Sequence, residues 1–281
     1  MLALLTFLNA ALVLLTFEAF ILSRGISTAH WTEKYFESNQ VKVECGGPES
    51  PSSHASCEKD FTQKPVSMST SLALVPFDEG RVLPHEKTVR EFSLAGHVFT
   101  IKQDWNSLGV AAVVWDSAVV LGEYLVMNEA SVKGKNVLEL GAGTGLTGLV
   151  AAALGANVTV TEREEALPNL RATVDQNCAD KSWVISATKL DWTQPVDDSD
   201  FPAVDLIIGA DVIYIEETFQ DLLRTILSLA KSDQTHVLLS CKIRYDRDLR
   251  FLNLLRNHFK VNEIFYDKNR DIKIFSVVRF S

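Results

Sequence analysis

The stretch Asn136–Gly148, NVLELGAGTGLTG, constrains this chain more than any other. Val137, Leu138 and Leu140 read as a short buried strand. Glycines follow at positions 141, 143 and 145, and Leu146 to Leu154 is an apolar helical run that Gly155 stops. Such a turn leaves backbone bare of Cβ atoms at the carboxyl end of a strand, with the free N–H groups of a helix start behind it. It predicts an α/β fold with a ligand seated against the main chain.

Two carboxylates narrow the ligand. Glu139 stands two residues before the first glycine, where it could accept a hydrogen bond from a cationic amine. Asn157–Glu162, NVTVTE, is a second strand that ends in a carboxylate about twenty residues past the glycines, where such folds grip a ribose diol. Counted from Gly141, the first glycine after the strand, position 146 is Leu where the dinucleotide fingerprint G-x-G-x-x-G has its third glycine. An acidic residue before G-x-G-x-G suits S-adenosylmethionine (SAM), which has a cationic amino-acid end and no pyrophosphate. The plain alternative is a turn whose glycines serve only close helix–strand packing.

The 281 residues allow one large domain or two small ones, and a formal net charge of −9 argues against a nucleic-acid partner. Cys45, Cys57, Cys178 and Cys241 have no metal-ligand spacing and the histidines form no pattern, so no metal is expected. Residues 2–22 are apolar except for Asn9 and Glu18, about the length of a membrane-spanning helix, and lack a basic leader. Arg24 follows, which by the positive-inside rule puts the remainder in the cytoplasm. A cleaved signal peptide and an unused extension are the rival readings of residues 1–23. Residues 24–71 read as a disordered linker in which Cys45 and Cys57 pair only if the segment is lumenal, and order resumes near Leu72.

Residues 72–281 then read as one domain. Arg90–Ile101 alternates around Ala95 and Gly96 as a β-hairpin, and Gly109–Met127 reads as a helix. Trp115, near the start of that helix, stacks on a ligand or packs in the core. Further helices are expected over Glu164–Asn177, Glu217–Ala230 and Arg247–Phe259, and strands over Trp183–Leu190, Val204–Gly209 and Thr235–Cys241. Val261–Tyr266 and Ile272–Val278 leave no room for a helix and should form an antiparallel hairpin at the sheet edge. The alternation predicts a Rossmann-like, mostly parallel, doubly wound sheet. Gly141–Gly145, Glu162, Asp191–Trp192 and Ala210–Asp211 all fall at strand carboxyl ends, where ligands bind.

Four stretches carry a resemblance: Gln103–Asp116, Glu139–Leu146, Gly209–Phe219 and Arg244–Arg247. With them the chain resembles the seven-β-strand SAM-dependent methyltransferases, and within these the methyltransferase-like 21 group. The resemblance runs from about Leu72 to the C-terminus, and residues 1–71 depart from it. It implies a protein-lysine N-methyltransferase acting on 70-kDa heat-shock chaperones, and a monomer is expected. Carried over onto this sequence, the cofactor contacts fall on Trp115, Gly141, Ala142, Gly143, Glu162, Trp192 and Ala210, which makes Trp115 a cofactor wall. Relatives often have Asp where this chain has Glu162, and either carboxylate accepts both ribose hydroxyls. The family's Asp-x-x-Tyr motif falls on Asp211 and Tyr214 as catalytic residues; the residues alone would allow a helix N-cap and a core aromatic. A SAM enzyme acting on a small molecule, and a non-catalytic module that binds chaperones, are the competing functions.

Overall fold

The computed structural model describes residues 83–196, 200–201 and 203–280. The expected apolar segment 1–23, the linker 24–71 and the onset near Leu72 lie outside the described residues, as do Cys45 and Cys57. Strands β1 (Val89–Leu94) and β2 (His97–Lys102) form the expected hairpin, with residues 95 and 96 at φ of 50° and 73°. Positive φ at both turn positions matches the twist of the flanking strands. Asn177 holds the backbone of Thr100 with its amide, and His97 meets Trp183 edge-on at 4.9 Å, so the hairpin is docked on the parallel sheet's outer end.

The helix expected from Gly109 starts later. A short helix, α1 (Trp105–Leu108), and a 3-10 turn over Gly109–Ala112 precede α2 (Asp116–Met127). Val113 between them is extended, at φ −131°. The cause is a side chain far back in the sequence: Gln103 accepts the Val114 N–H with its Oε1 (2.8 Å), which takes that donor from any helix.

The remaining elements are β3 (Asn136–Leu140), α3 (Leu146–Ala153), β4 (Asn157–Glu162), α4 (Leu167–Cys178), β5 (Val184–Lys189), β6 (Leu206–Ala210), α5 (Phe219–Leu229), β7 (His236–Cys241), α6 (Asp246–Leu255), β8 (Phe259–Asp267) and β9 (Ile272–Arg279). Helix α6 was expected to run to Phe259. It stops at Leu255 because Phe259 is drawn into the sheet opposite Arg279 as the first residue of β8.

Among the described residues β3–β9 form one seven-stranded sheet in the order β5-β4-β3-β6-β7-β9-β8. Pairs from β5 to β7 are parallel, and β9 and β8 close the edge antiparallel. The chain winds outward from β3 through β4 to β5, then returns to the other side of β3 with β6. The direction of winding therefore reverses between β3 and β6, and a crevice opens beyond their carboxyl ends.

Period-two alternation sorts each strand between two cores. On β3, Val137 joins the core under α2, α3 and α4, with Leu121, Leu149 and Leu170. Leu138 and Leu140 join the opposite core under α5 and α6, with Leu222 and Phe251. Glu139 lies between Leu138 and Leu140 in register and faces with Val137, toward α3.

Candidate functional site

The glycine turn follows β3, on one side of the crevice. Gly141, Gly143 and Gly145 have φ of 56°, 55° and 78°, a region that side chains with a Cβ avoid. A Cβ on Gly141 would stand 3.1 Å from the Trp192 ring, and one on Gly143 3.1 Å from the Ala111 carbonyl oxygen. The bare backbone is thus a requirement of close approach from two sides. Ala142 donates its N–H to Thr161 O (2.9 Å), which hangs the turn on β4.

Glu162 ends β4 and faces the turn. Its Oε2 accepts the Gly143 N–H (3.1 Å) and its Oε1 accepts the Arg163 N–H (2.9 Å). A carboxylate has about four lone-pair positions, so each oxygen keeps one for a ligand. Trp115 joins this group through the segment before it: its indole N–H donates to Val110 O (3.0 Å), and Ala111 next to Val110 covers Gly143. Gly141, Ala142, Gly143, Glu162, Trp192 and Trp115 are therefore one assembly. These residues fit an adenosyl cofactor: bare main chain, an acceptor for a diol, and two aromatic walls.

Glu139 is placed differently from the other acidic residues. It is buried, and its Oε2 accepts the Gly148 N–H (2.8 Å) in the first turn of α3. Loss of water pushes its carboxyl up to about 8, against the pull of hydrogen bonds from Gly148 and Thr147. One oxygen is committed to the helix start, and a ligand amine would have only the other.

Across the crevice, β6 ends at Ala210, opposite Ser240 of β7. Asp211 follows at φ 54°, a left-handed conformation that Asp tolerates better than most residues. Its N–H donates to Ser240 O (2.7 Å), which locks the kink and turns the side chain off the sheet's line. Tyr214 lies three residues on, with a partly exposed ring. Burial of its hydroxyl pushes the phenol's pKa up, and the charges of Arg163, Glu162 and Asp211 all act on it. Tyr214 thus lies within electrostatic reach of both carboxylates.

Sequence reasoning gave no role to Arg244. Its Nη1 and Nη2 donate to Asp211 Oδ1 and Oδ2 at 3.0 and 2.9 Å, a two-pronged ion pair between residues 33 apart. Buried Asp248 fixes the Arg244 backbone by accepting both the Arg244 and Tyr245 N–H groups with Oδ2, at 2.8 and 3.0 Å. Only the family likeness marks the stretch Arg244–Arg247, and nothing in its local pattern signals a partner on β6's turn. A surface depression of about 660 Å³, lined by Met127, Asn128, Glu129 and Lys133, lies before β3, away from the glycine turn.

A glycine turn after the central strand, a carboxylate ending the next and an acidic turn across the reversal fit a protein that binds a nucleoside cofactor. A family model described as lysine methyltransferase matches residues 93–258. The chain is 50% identical over 214 residues to protein N-lysine methyltransferase METTL21A of Danio rerio, covering 74% of this chain and 97% of that one. It is 45% identical over 208 residues to the METTL21A of Mus musculus, covering 73% and 95%. It is 36% identical over 188 residues to EEF1A lysine methyltransferase 3 of Mus musculus, covering 66% and 79%. The chain belongs to the lysine methyltransferase family. Its activity is the SAM-dependent methylation of protein lysine.

Proposed function

We propose that the acceptor is a lysine of a 70-kDa heat-shock chaperone and that it meets the donor at the edge formed by Asp211 and Tyr214. The observation that carries the site is Asp211 itself, a carboxylate held at φ 54° across the strand reversal from the glycine turn. The target is supported by the likeness of the four quoted stretches to the methyltransferase-like 21 group, and by the identity to relatives named METTL21A.

The donor, when bound, supplies a methyl carbon on a sulfonium, which a neutral amine takes with release of a neutral thioether. Alignment is then the enzyme's main contribution. Gly141, Ala142 and Gly143 offer main chain, Glu162 accepts the ribose hydroxyls, and Trp115 and Trp192 wall the ring system. Ala210 keeps the floor small where β6 meets the turn. Glu139 holds the start of α3 beneath the glycines. Asp211 cannot act by lowering an amine's pKa, because a carboxylate raises it. It accepts an N–H of the lysine and so fixes the nitrogen's direction, and solvent takes the proton. The Tyr214 ring guides the lysine stem and can hold an ammonium against its face before deprotonation.

The test is incubation of the protein with methyl-labelled SAM and a purified 70-kDa chaperone, with the label mapped by mass spectrometry. Label on a chaperone lysine is expected. SAM binding without chaperone label, together with label on another protein of a cell extract, would refute the target and keep the chemistry. The same reading puts the catalytic residues in the cytoplasm, tethered through residues 2–22, on the strength of Arg24. Release of the full chain from a membrane fraction by carbonate alone would refute the tether.

A further inference from the structure

We propose that Arg244 is a positioning residue for methyl transfer: its guanidinium fork aims the Asp211 carboxylate and balances its charge, so that the acceptor lysine is oriented there without being held as an unreactive ammonium. This rests on the Asp211 reading above.

An unpaired carboxylate beside an amine is a poor device for lysine methylation. It stabilises the protonated, non-nucleophilic form. The structure pairs the carboxylate instead. Each oxygen of Asp211 accepts one Arg244 N–H, at 3.0 and 2.9 Å, and each keeps a lone pair for a second donor. The Asp211 side chain is 10% exposed and that of Arg244 37%, so the fork reaches the carboxylate from the solvent side of the crevice. The arm carrying the fork is itself built. Asp248 grips its backbone, and the Arg247 guanidinium lies 4.5 Å from the centre of the Tyr245 ring. The pairing holds Arg244 in its charged form, since the hydrogen bond it donates to Asp211 raises its pKa further.

The charged and titratable groups around the pair come from every neighbouring element. Tyr214 is on Asp211's own turn, Glu162 ends β4 with Arg163 just past it, Cys241 ends β7, Asp248 is on α6 and Lys273 is on β9. Burial pushes the Tyr214 phenol and the Cys241 thiol up, so both stay neutral from about pH 6 to 9. The hydrogen bond to Glu263 raises the Lys273 ammonium, which stays charged. None of these three titrates between about pH 6 and 9, the range over which the variants are compared.

The test uses the full chain as wild type, Arg244→Gln, Arg244→Lys, Asp211→Asn and the double variant Asp211→Asn with Arg244→Gln. The first readout needs no acceptor. Thermal unfolding should show non-additive losses, with the second substitution costing little once the first is made; strictly additive losses overturn the pair. The second readout is kcat against pH at saturating SAM, with labelled methyl and both purified 70-kDa chaperone and whole-cell extract as acceptors. Arg244→Gln should move the rising limb up by about one pH unit, which is about tenfold in rate at neutral pH, with SAM affinity unchanged. Arg244→Lys should restore the limb's position at a lower plateau, because it returns the charge without the fork. A uniform loss at every pH, with the limb unmoved, reduces Arg244 to a brace and overturns the proposal. So does a faster Arg244→Gln enzyme, which would make the arginine a latch that competes with the lysine. Label on extract proteins but not on the chaperone refutes the target alone, and the Arg244 comparison is then read on the labelled band.

Discussion

Glu139→Gln removes a titrating group from beneath α3 while keeping an oxygen to accept the Gly148 N–H, which Glu139 Oε2 now accepts at 2.8 Å. Burial raises the carboxyl of Glu139 from 4.5 to about 8. In the unfolded chain it returns to about 4.5. Between those values the folded protein holds a proton that the unfolded chain has released. Its contribution to stability is therefore full below about pH 4.5 and is lost as pH rises toward 8. The slope is about 1.4 kcal/mol per pH unit, so wild type should lose about 2–3 kcal/mol from this group between pH 5.5 and 7.5. The glutamine variant loses none of it. Urea unfolding of both proteins at several pH values isolates the effect, because all other titrations cancel in the difference. The advantage of Gln over Glu should grow with pH. A difference that stays flat from pH 5.5 to 7.5 would mean that Glu139 is ionised in the fold throughout, and the account of its burial would be wrong.

Three further outcomes are expected. Glu162→Ala should weaken SAM binding about ten- to hundredfold by calorimetry, the worth of a charge-assisted hydrogen bond; an unchanged dissociation constant would remove Glu162 from the ribose site. Gly148→Ala puts a Cβ 2.2 Å from Val160 Cγ1 and 2.7 Å from Glu139 Oε2, so it should cost about 1–3 kcal/mol and several degrees of Tm. An unaltered Tm would show that α3 can lift off β4 freely. Asp211→Asn and Asp211→Ala both lose the Arg244 fork, but only Asn tolerates φ 54° well, so the alanine variant should be about 1 kcal/mol less stable in urea. Equal stabilities would argue that the backbone there relaxes.

The glycine turn, the strands around it and the reversal between β3 and β6 were legible because each has a local cause. Leu206–Ile208 is apolar on both faces since helices cover both, and Ala95–Gly96 supplies the turn chemistry of a hairpin. What failed had a distant cause. No window around Gly109 shows that Gln103 will take the Val114 N–H, and no property of Phe259 says that Arg279 will pair with it rather than with a longer α6. The site divides the same way. Gly141, Gly143 and Glu162 fall together from spacing alone. The left-handed backbone of Asp211 and its fork to Arg244 depend on β6 and β7 lying side by side, which only the fold supplies. Glu139 is intermediate: alternation on β3 gives its face, but the identity of that face as the one under α3 does not follow from β3.

The most direct test of lysine methylation at the Asp211 edge compares wild type with Asp211→Asn in the full chain. Each is incubated with methyl-labelled SAM and whole-cell extract, labelled products are identified by mass spectrometry, and the SAM dissociation constant is measured alongside. The expected result is label on lysine ε-nitrogens of protein with wild type and none with Asp211→Asn, at equal SAM affinity. Label that persists with Asp211→Asn, or that appears on small molecules rather than on protein, would contradict it.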